Sequence, residues 1–149
     1  MLTIIILTIV GSIVASVVGT FWYSDKTPMG RIHMRSVGFF DLTPEEQQSK
    51  ITEMKPKMKK MYIAQTALSL LLSFAVTFVV VTSIRNGVPV SLAIIFPVFT
   101  WLCYMVPVIG SGILWGNVSR DIAWKKFFSD ASSNLVTVLI IAILAALFA

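Results

Sequence analysis

Four long apolar runs, separated by three polar stretches of very unequal length, organise this chain. The first run, Leu2 to Tyr23, carries no charge and is long enough as a helix to cross a hydrocarbon layer of about 30 Å. No Lys or Arg precedes it, and it closes on Phe21, Trp22 and Tyr23 with no small-residue cleavage site, so it reads as a retained span and not a signal peptide. The second run, about 61–84, is likewise uncharged, with Tyr62 at its start as an interface residue. A tight turn follows at Arg85, Asn86, Gly87, Val88 and Pro89, where Asn-Gly is a strong turn dipeptide. The third run, 90–115, contains Pro97 and Pro107, which remove backbone donors and predict kinks. The last strongly apolar run starts at Leu135 and is short for a crossing, so the span is taken back to 131 and placed at 131–149. The fold class is therefore all-α: a single polytopic membrane domain, 1–149, with four transmembrane helices.

The connection 24–60 is not plain linker. Thr43, Pro44 and Glu46 form a helix start in which Thr43 caps, Pro44 takes the first helical position and Glu46 completes a capping box. Downstream, Ile51, Met54, Met58 and Met61 recur at intervals of three and four, with Glu53, Lys57 and Lys60 off that face. This predicts an amphipathic basic helix at the membrane surface, bent at Pro56 before the chain enters the bilayer. The connection 116–130 places Trp124, Phe127 and Phe128 beside Lys125 and Lys126, a second interfacial segment.

Composition agrees with this pattern. Of 149 residues 56% are hydrophobic and 13% charged, with a mean hydropathy of +0.86, outside the range of water-soluble domains. The net charge of +5 would suggest nucleic acid in a soluble protein. Here all 12 Lys and Arg except Arg85 lie in the first and third connections, where they serve orientation and anionic headgroups, and no nucleic-acid partner is expected. The same asymmetry predicts that these two connections face the cytoplasm of a cell membrane and that both termini face outward. Membrane lipid, with anionic headgroups at the cytoplasmic face, is the expected partner, and a homo-oligomer formed through the packing surfaces below is the further option.

Those surfaces are read from small residues. Gly11, Ala15 and Gly19 repeat every four residues, with Ser12, Ser16 and Thr20 on the adjacent ridge, so that another helix can approach closely. Ser69, Ser73 and Thr77 form a hydroxyl stripe on the second span; Gly112 and Gly116 close the third, and Ala142 and Ala146 mark the fourth. Packing is the preferred role, and the lining of a passive channel or uncoupled carrier is the alternative, because such hydroxyls usually back-bond to their own helix or join neighbours.

Chemistry is scarce. The four spans as placed contain no Asp, Glu, Lys, Arg or His, which argues against proton-coupled transport. Cys103 is the single cysteine, so no intrachain disulfide or thiolate zinc site can form. Pairing Cys103 with the sole histidine, His33, as a nucleophile and base of a lipid-modifying enzyme would require the polar segment to fold into the membrane. Met29, His33 and Met34 are soft or borderline metal ligands, but the pattern is weak and apolar anchoring by the methionines is preferred. No phosphate loop or catalytic motif is present, and neither metal, cofactor nor enzymatic activity is expected. Trp22, Tyr23, Trp101, Tyr104 and Trp115 are the candidate ligand contacts: Trp101 and Tyr104 lie at mid-depth of the third span, where polar-tipped aromatics need buried partners or a cavity, while Trp22, Tyr23 and Trp115 cluster near the cytoplasmic ends of the first and third spans, a place that suits interface anchoring and a site between those ends equally.

Two stretches carry a family resemblance. Gly19, Thr20, Phe21, Trp22, Tyr23 and Ser24, then Met29, Gly30, Met34 and Gly38, resemble the opening of the domain-of-unknown-function 1761 family of small membrane proteins. Trp101, Leu102, Pro107, Gly110, Leu114 and Trp115, then Trp124, Lys125, Phe127, Asn134, Leu135 and Val136, are similar to that family's third span, turn and final span. The resemblance implies a four-helix integral membrane protein and no established activity. The leading expectation is a non-enzymatic bundle that self-associates or binds lipid or an apolar small molecule.

Overall fold

The computed structural model describes residues 1–39, 42–115 and 119–149. Every regular element among them is helical: α1 (Leu2–Trp22), α2 (Pro28–Ser36), α3 (Pro44–Arg85), α4 (Val90–Thr100), a π-helical turn (Trp101–Met105), α5 (Val106–Leu114) and α6 (Arg120–Leu147). Four rods, namely α1, α3, the continuous α4–α5 stretch and α6, are long and apolar enough to cross a membrane. The architecture is the all-α, four-span bundle that the apolar runs indicate.

Helix starts follow local chemistry. At Thr43 the capping box forms as expected: the Glu46 amide donates to Thr43 Oγ1 at 3.3 Å, and the Thr43 amide donates to the Glu46 carboxylate at 2.8 Å. These bonds to the charged form hold the Glu46 carboxyl below its ordinary value. Thr27 and Pro28 repeat the same Thr-Pro start for α2, with the Gly30 amide donating to Thr27 Oγ1 at 2.9 Å. Sequence reasoning overlooked that short helix.

Two rods are longer than their apolar runs. α3 has 42 residues, about 63 Å of helix, roughly twice the hydrocarbon thickness. The bend expected at Pro56 does not end it: the helix continues through the proline, so the amphipathic segment runs on from the span as one element. Pro56 is exposed, and the carbonyl it leaves without a donor can bond water, which lowers the cost of keeping the helix. α6 likewise begins at Arg120, so the interfacial segment from Arg120 on is the first part of the fourth span's helix and not a separate connection. In the third rod the disturbance between the prolines is a π turn, with the Val106 amide bonding Trp101 O five residues back. Pro107 cannot donate, and its ring would crowd the Cys103 carbonyl in a regular α-helix; one wider turn just before it relieves both constraints.

α1, α3 and α6 pack on one another, α4 lies across α3 and α6, and α2 and α5 rest on α6. The apolar core is concentrated toward one end: Ile4 and Leu7 of α1, Val76, Val80 and Val81 of α3, Ala93 of α4, and Val138, Ile141, Ala142 and Ala145 of α6. The Arg85–Pro89 turn caps this end, with Gly87 at φ +81° as the Asn-Gly dipeptide requires. The other end collects the basic connections and is called the basic end below.

The packing residues read from sequence fall into two groups. Gly11 marks the crossing of α1 and α3: a Cβ there would lie 2.2 Å from Ser73 Oγ and 3.3 Å from two side-chain carbons of Ile141. Ser69, Ser73 and Thr77 are buried in the α1–α3–α6 interface. Ala15 is half-buried, while a Cβ on Gly19 or Gly112 would meet nothing within 4 Å. Gly116 lies outside the described residues. From the Gly11–Ser73 crossing toward the basic end the two helices part, and residues 61–68 of α3 are all exposed.

Candidate functional site

The basic end is organised by the way α2 folds back over the end of α1. The Thr27 hydroxyl lies between the two helices: it donates to Trp22 O at 2.7 Å and Ser24 O at 2.9 Å while accepting from the Gly30 amide. A Cβ on Gly30 would sit 1.8 Å from Ser24 O, so the return is possible only with glycine there. It sets the His33 ring against Tyr23, with centroids 5.1 Å apart.

α6 supplies the partners. Tyr23 Oη donates to Asp130 Oδ1 at 2.8 Å, and Lys126 Nζ donates to Asp130 Oδ2 at 2.6 Å. Trp22 Nε1 donates to Ser129 Oγ at 3.2 Å, and the Asn134 amide donates to Asp130 O at 2.8 Å. The Asp130 and Lys126 side chains are 19% and 26% exposed, in contrast to the solvated Lys125–Asp121 pair on the same helix. His33 is half-buried and its Nδ1 has no hydrogen-bond partner. Burial first, and the Lys126 ammonium second, push its pKa below the ordinary value, with Asp130 opposing. With both Asp130 oxygens engaged and the charged form of His33 disfavoured, the cluster fastens α1, α2 and α6 together.

Asp130 falls at the end of the connection 116–130 in the sequence reading, which gives it no role; the structure places it inside α6. The available signal was Lys126 four residues before it, a spacing that brings the two side chains together on a helix. Nothing local announces that Tyr23, 107 residues away, donates to the same carboxylate.

A second feature lies on the outer surface of the bundle, between α1 and the exposed 61–68 stretch of α3. A cleft of about 620 Å³ opens there, lined by Ile13, Val17 and Phe21, by the hydroxyl residues Ser12, Ser16, Thr20 and Ser24, and by Thr66 of α3. Ile13, Val17 and Phe21 are 59%, 62% and 71% exposed. The ridge read from sequence as a helix-packing surface thus meets a helix at its start and open space further on.

Of the five aromatic candidates, the structure brings Trp22 and Tyr23 together in the basic-end cluster. The other three lie on the third rod or at its end. Trp101 is half-buried in the π turn, and its Nε1 is buried without a partner. Tyr104 and Trp115 are 72% and 89% exposed. Cys103 is exposed in the same π turn, on a different rod from Tyr23, against which His33 packs. Among the described residues no group of three or more His, Cys, Asp or Glu side chains is placed to hold a metal ion.

A family model described as "Protein of unknown function (DUF1761)" matches residues 6–146. No curated protein and no solved structure matches the chain.

Proposed function

The chain belongs to the DUF1761 family of proteins of unknown function, and from that premise we propose that it is a non-enzymatic integral membrane protein that binds a membrane amphiphile between α1 and α3. The observation that carries this reading is the cleft itself, about 620 Å³ with exposed apolar walls and a ridge of hydroxyls. It is open along its outer side, as suits a lipid held against the protein from the bilayer, and its mixture of apolar walls with a few polar groups is the usual composition of a small-molecule site. The cleft's lining runs to Ser24 at the basic end, where a lipid's head group would meet water. By the distribution of Lys and Arg that end faces the cytoplasm of the cell membrane, and the termini face outward.

Two alternatives draw less support. A solute path along Ser69, Ser73 and Thr77 is disfavoured because these residues are 6%, 0% and 0% exposed, packed against α1 and α6 and not around an opening. Chemistry at Asp130 is disfavoured because both of its oxygens accept hydrogen bonds within the cluster. Self-association is the second reading, favoured by the third rod: only 11% of its most apolar window is buried, leaving a long face for lipid or for another copy.

Native mass spectrometry of the full chain, released from its own membrane in mild detergent, tests the reading. A discrete amphiphile of one per chain is expected on the wild type, and its loss on Thr20→Phe, which fills the cleft from an exposed position. A wild-type mass without adduct, unchanged by that substitution, would overturn it.

A further inference from the structure

The hydroxyls of the cleft are oriented by their own helices. Ser16 donates to Ser12 O at 3.0 Å, Thr20 to Ser16 O at 2.8 Å, and Thr66 to Tyr62 O at 2.8 Å. Each donor is thereby committed to the backbone, while each oxygen keeps lone pairs available to the cleft. These three side chains thus present acceptors, and the group that complements them carries an O–H or N–H. Ester carbonyls, which only accept, do not.

Shape and charge narrow the choice further. α1 and α3 run antiparallel and touch at Gly11 and Ser73. Helical rise then places Thr20 roughly 14 Å from the crossing, close to half of the ~30 Å hydrocarbon thickness, and all of the cleft's lining except Thr66 comes from residues 12–24. A groove that follows one face of one helix in this way accepts one chain more readily than two. On α3, Lys59 and Lys55 lie two and three turns before Thr66 on the same helical face, which places Lys59 about level with Ser24 at the mouth. Both lysines are exposed, and among the described residues no acid pairs with them. Asp25 at the mouth is offset by Lys26 beside it.

We infer that the cleft takes a single-chain, phosphate-bearing amphiphile with a free hydroxyl on its backbone, a lysophospholipid in chemical class. The acyl chain lies along Ile13 and Val17, the free hydroxyl donates to Thr20 or Ser16, and the phosphate meets Lys59 and Lys55. This rests on the reading of the cleft as an amphiphile site.

The full-length protein in mild detergent is titrated, by native mass spectrometry, with monoacylglycerol phosphate, hexadecyl phosphate, which lacks the hydroxyl, and diacylglycerol phosphate, which adds a second chain. Monoacylglycerol phosphate is expected to bind tightest, at one per chain. Thr20→Val is expected to reduce its advantage over hexadecyl phosphate by about 3- to 10-fold, the worth of one hydrogen bond. Lys55→Gln with Lys59→Gln is expected to weaken both single-chain phosphates by about 10- to 30-fold, and Lys125→Gln, outside the cleft, to change neither. Equal binding of hexadecyl phosphate, or equal binding of the diacyl lipid, overturns this inference while leaving the cleft as an amphiphile site. Absence of binding by all three, with Thr20→Phe indifferent or with a second copy found in the cleft, overturns the reading on which it rests.

Discussion

Gly11 and Gly19 belong to one four-residue repeat, yet the structure assigns them opposite consequences. A methyl at Gly11 would have its carbon 2.2 Å from Ser73 Oγ and 3.3 Å from Ile141 Cγ1 and Cγ2, whereas a methyl at Gly19 would meet nothing within 4 Å. Overpacking at a well-filled contact costs about 1–3 kcal/mol. Alanine in place of glycine within a helix returns roughly 0.8–1 kcal/mol at either position. The propensity gain cancels in the comparison, so Gly11→Ala is expected to be less stable than Gly19→Ala by about 1–3 kcal/mol, with Gly19→Ala equal to or slightly more stable than wild type. Ser73→Ala should recover most of the loss in the Gly11→Ala background, since it removes the nearest obstructing atom, and Ile141 then sets what remains. Reversible unfolding in detergent micelles, followed by helical circular dichroism, gives the three free-energy differences. Equal stability of the two alanine variants, or no recovery by Ser73→Ala, would refute the packing argument and with it the point from which the cleft opens.

Further tests address the basic-end cluster. Tyr23→Phe removes the donor to Asp130 Oδ1 and should destabilise by about 1–3 kcal/mol, while Lys125→Ala, which breaks an exposed pair, should change stability by at most about 0.5 kcal/mol; thermal melts of the two variants provide the comparison. Because burial and Lys126 depress the pKa of His33, the docked α2 resists a proton that the undocked helix accepts. Docking is therefore fully stable above the ordinary histidine value of about 6.5 and weakens as pH falls below it, toward the lowered pKa. Cross-linking of α2 to α6 across that range should show the decline in wild type and a flat profile in His33→Gln. Replacing Pro107 by Ala restores a backbone donor beside the π turn, and amide exchange should report a more regular, better protected helix over Trp101–Met105.

The four rods were legible in the sequence because uninterrupted hydropathy is a local property, and a chain that must satisfy every backbone group inside a membrane has few other ways to fold. The Thr43 capping box and the Asn86–Gly87 turn were legible for the same reason: each is determined within a handful of residues. What escaped depends on distant partners. Gly11 and Gly19 are indistinguishable in sequence, and only the divergence of α3 leaves one packed and the other open. Trp22 and Tyr23 stand out in the sequence as candidate contacts, but Asp130 and Ser129 lie in what reads as an interfacial connection, since charged and aromatic residues there mask the continuity of α6. Pro56 and Pro107 illustrate the limit of a single-residue rule: a proline at an exposed site was absorbed into one helix, and one within an apolar rod was accommodated by a π turn.

The central claim is that an amphiphile chain occupies the space between α1 and α3, and site-resolved photolabelling tests it most directly. Monoacylglycerol phosphate with a photoreactive acyl chain is cross-linked to the full-length protein, and the labelled residues are identified by peptide sequencing in the mass spectrometer. Labelling concentrated on Ile13, Val17 and Phe21, and diminished by Thr20→Phe, is the expected result. Labels spread evenly over all lipid-exposed faces, with the third rod marked as heavily as α1 and no response to Thr20→Phe, would contradict it.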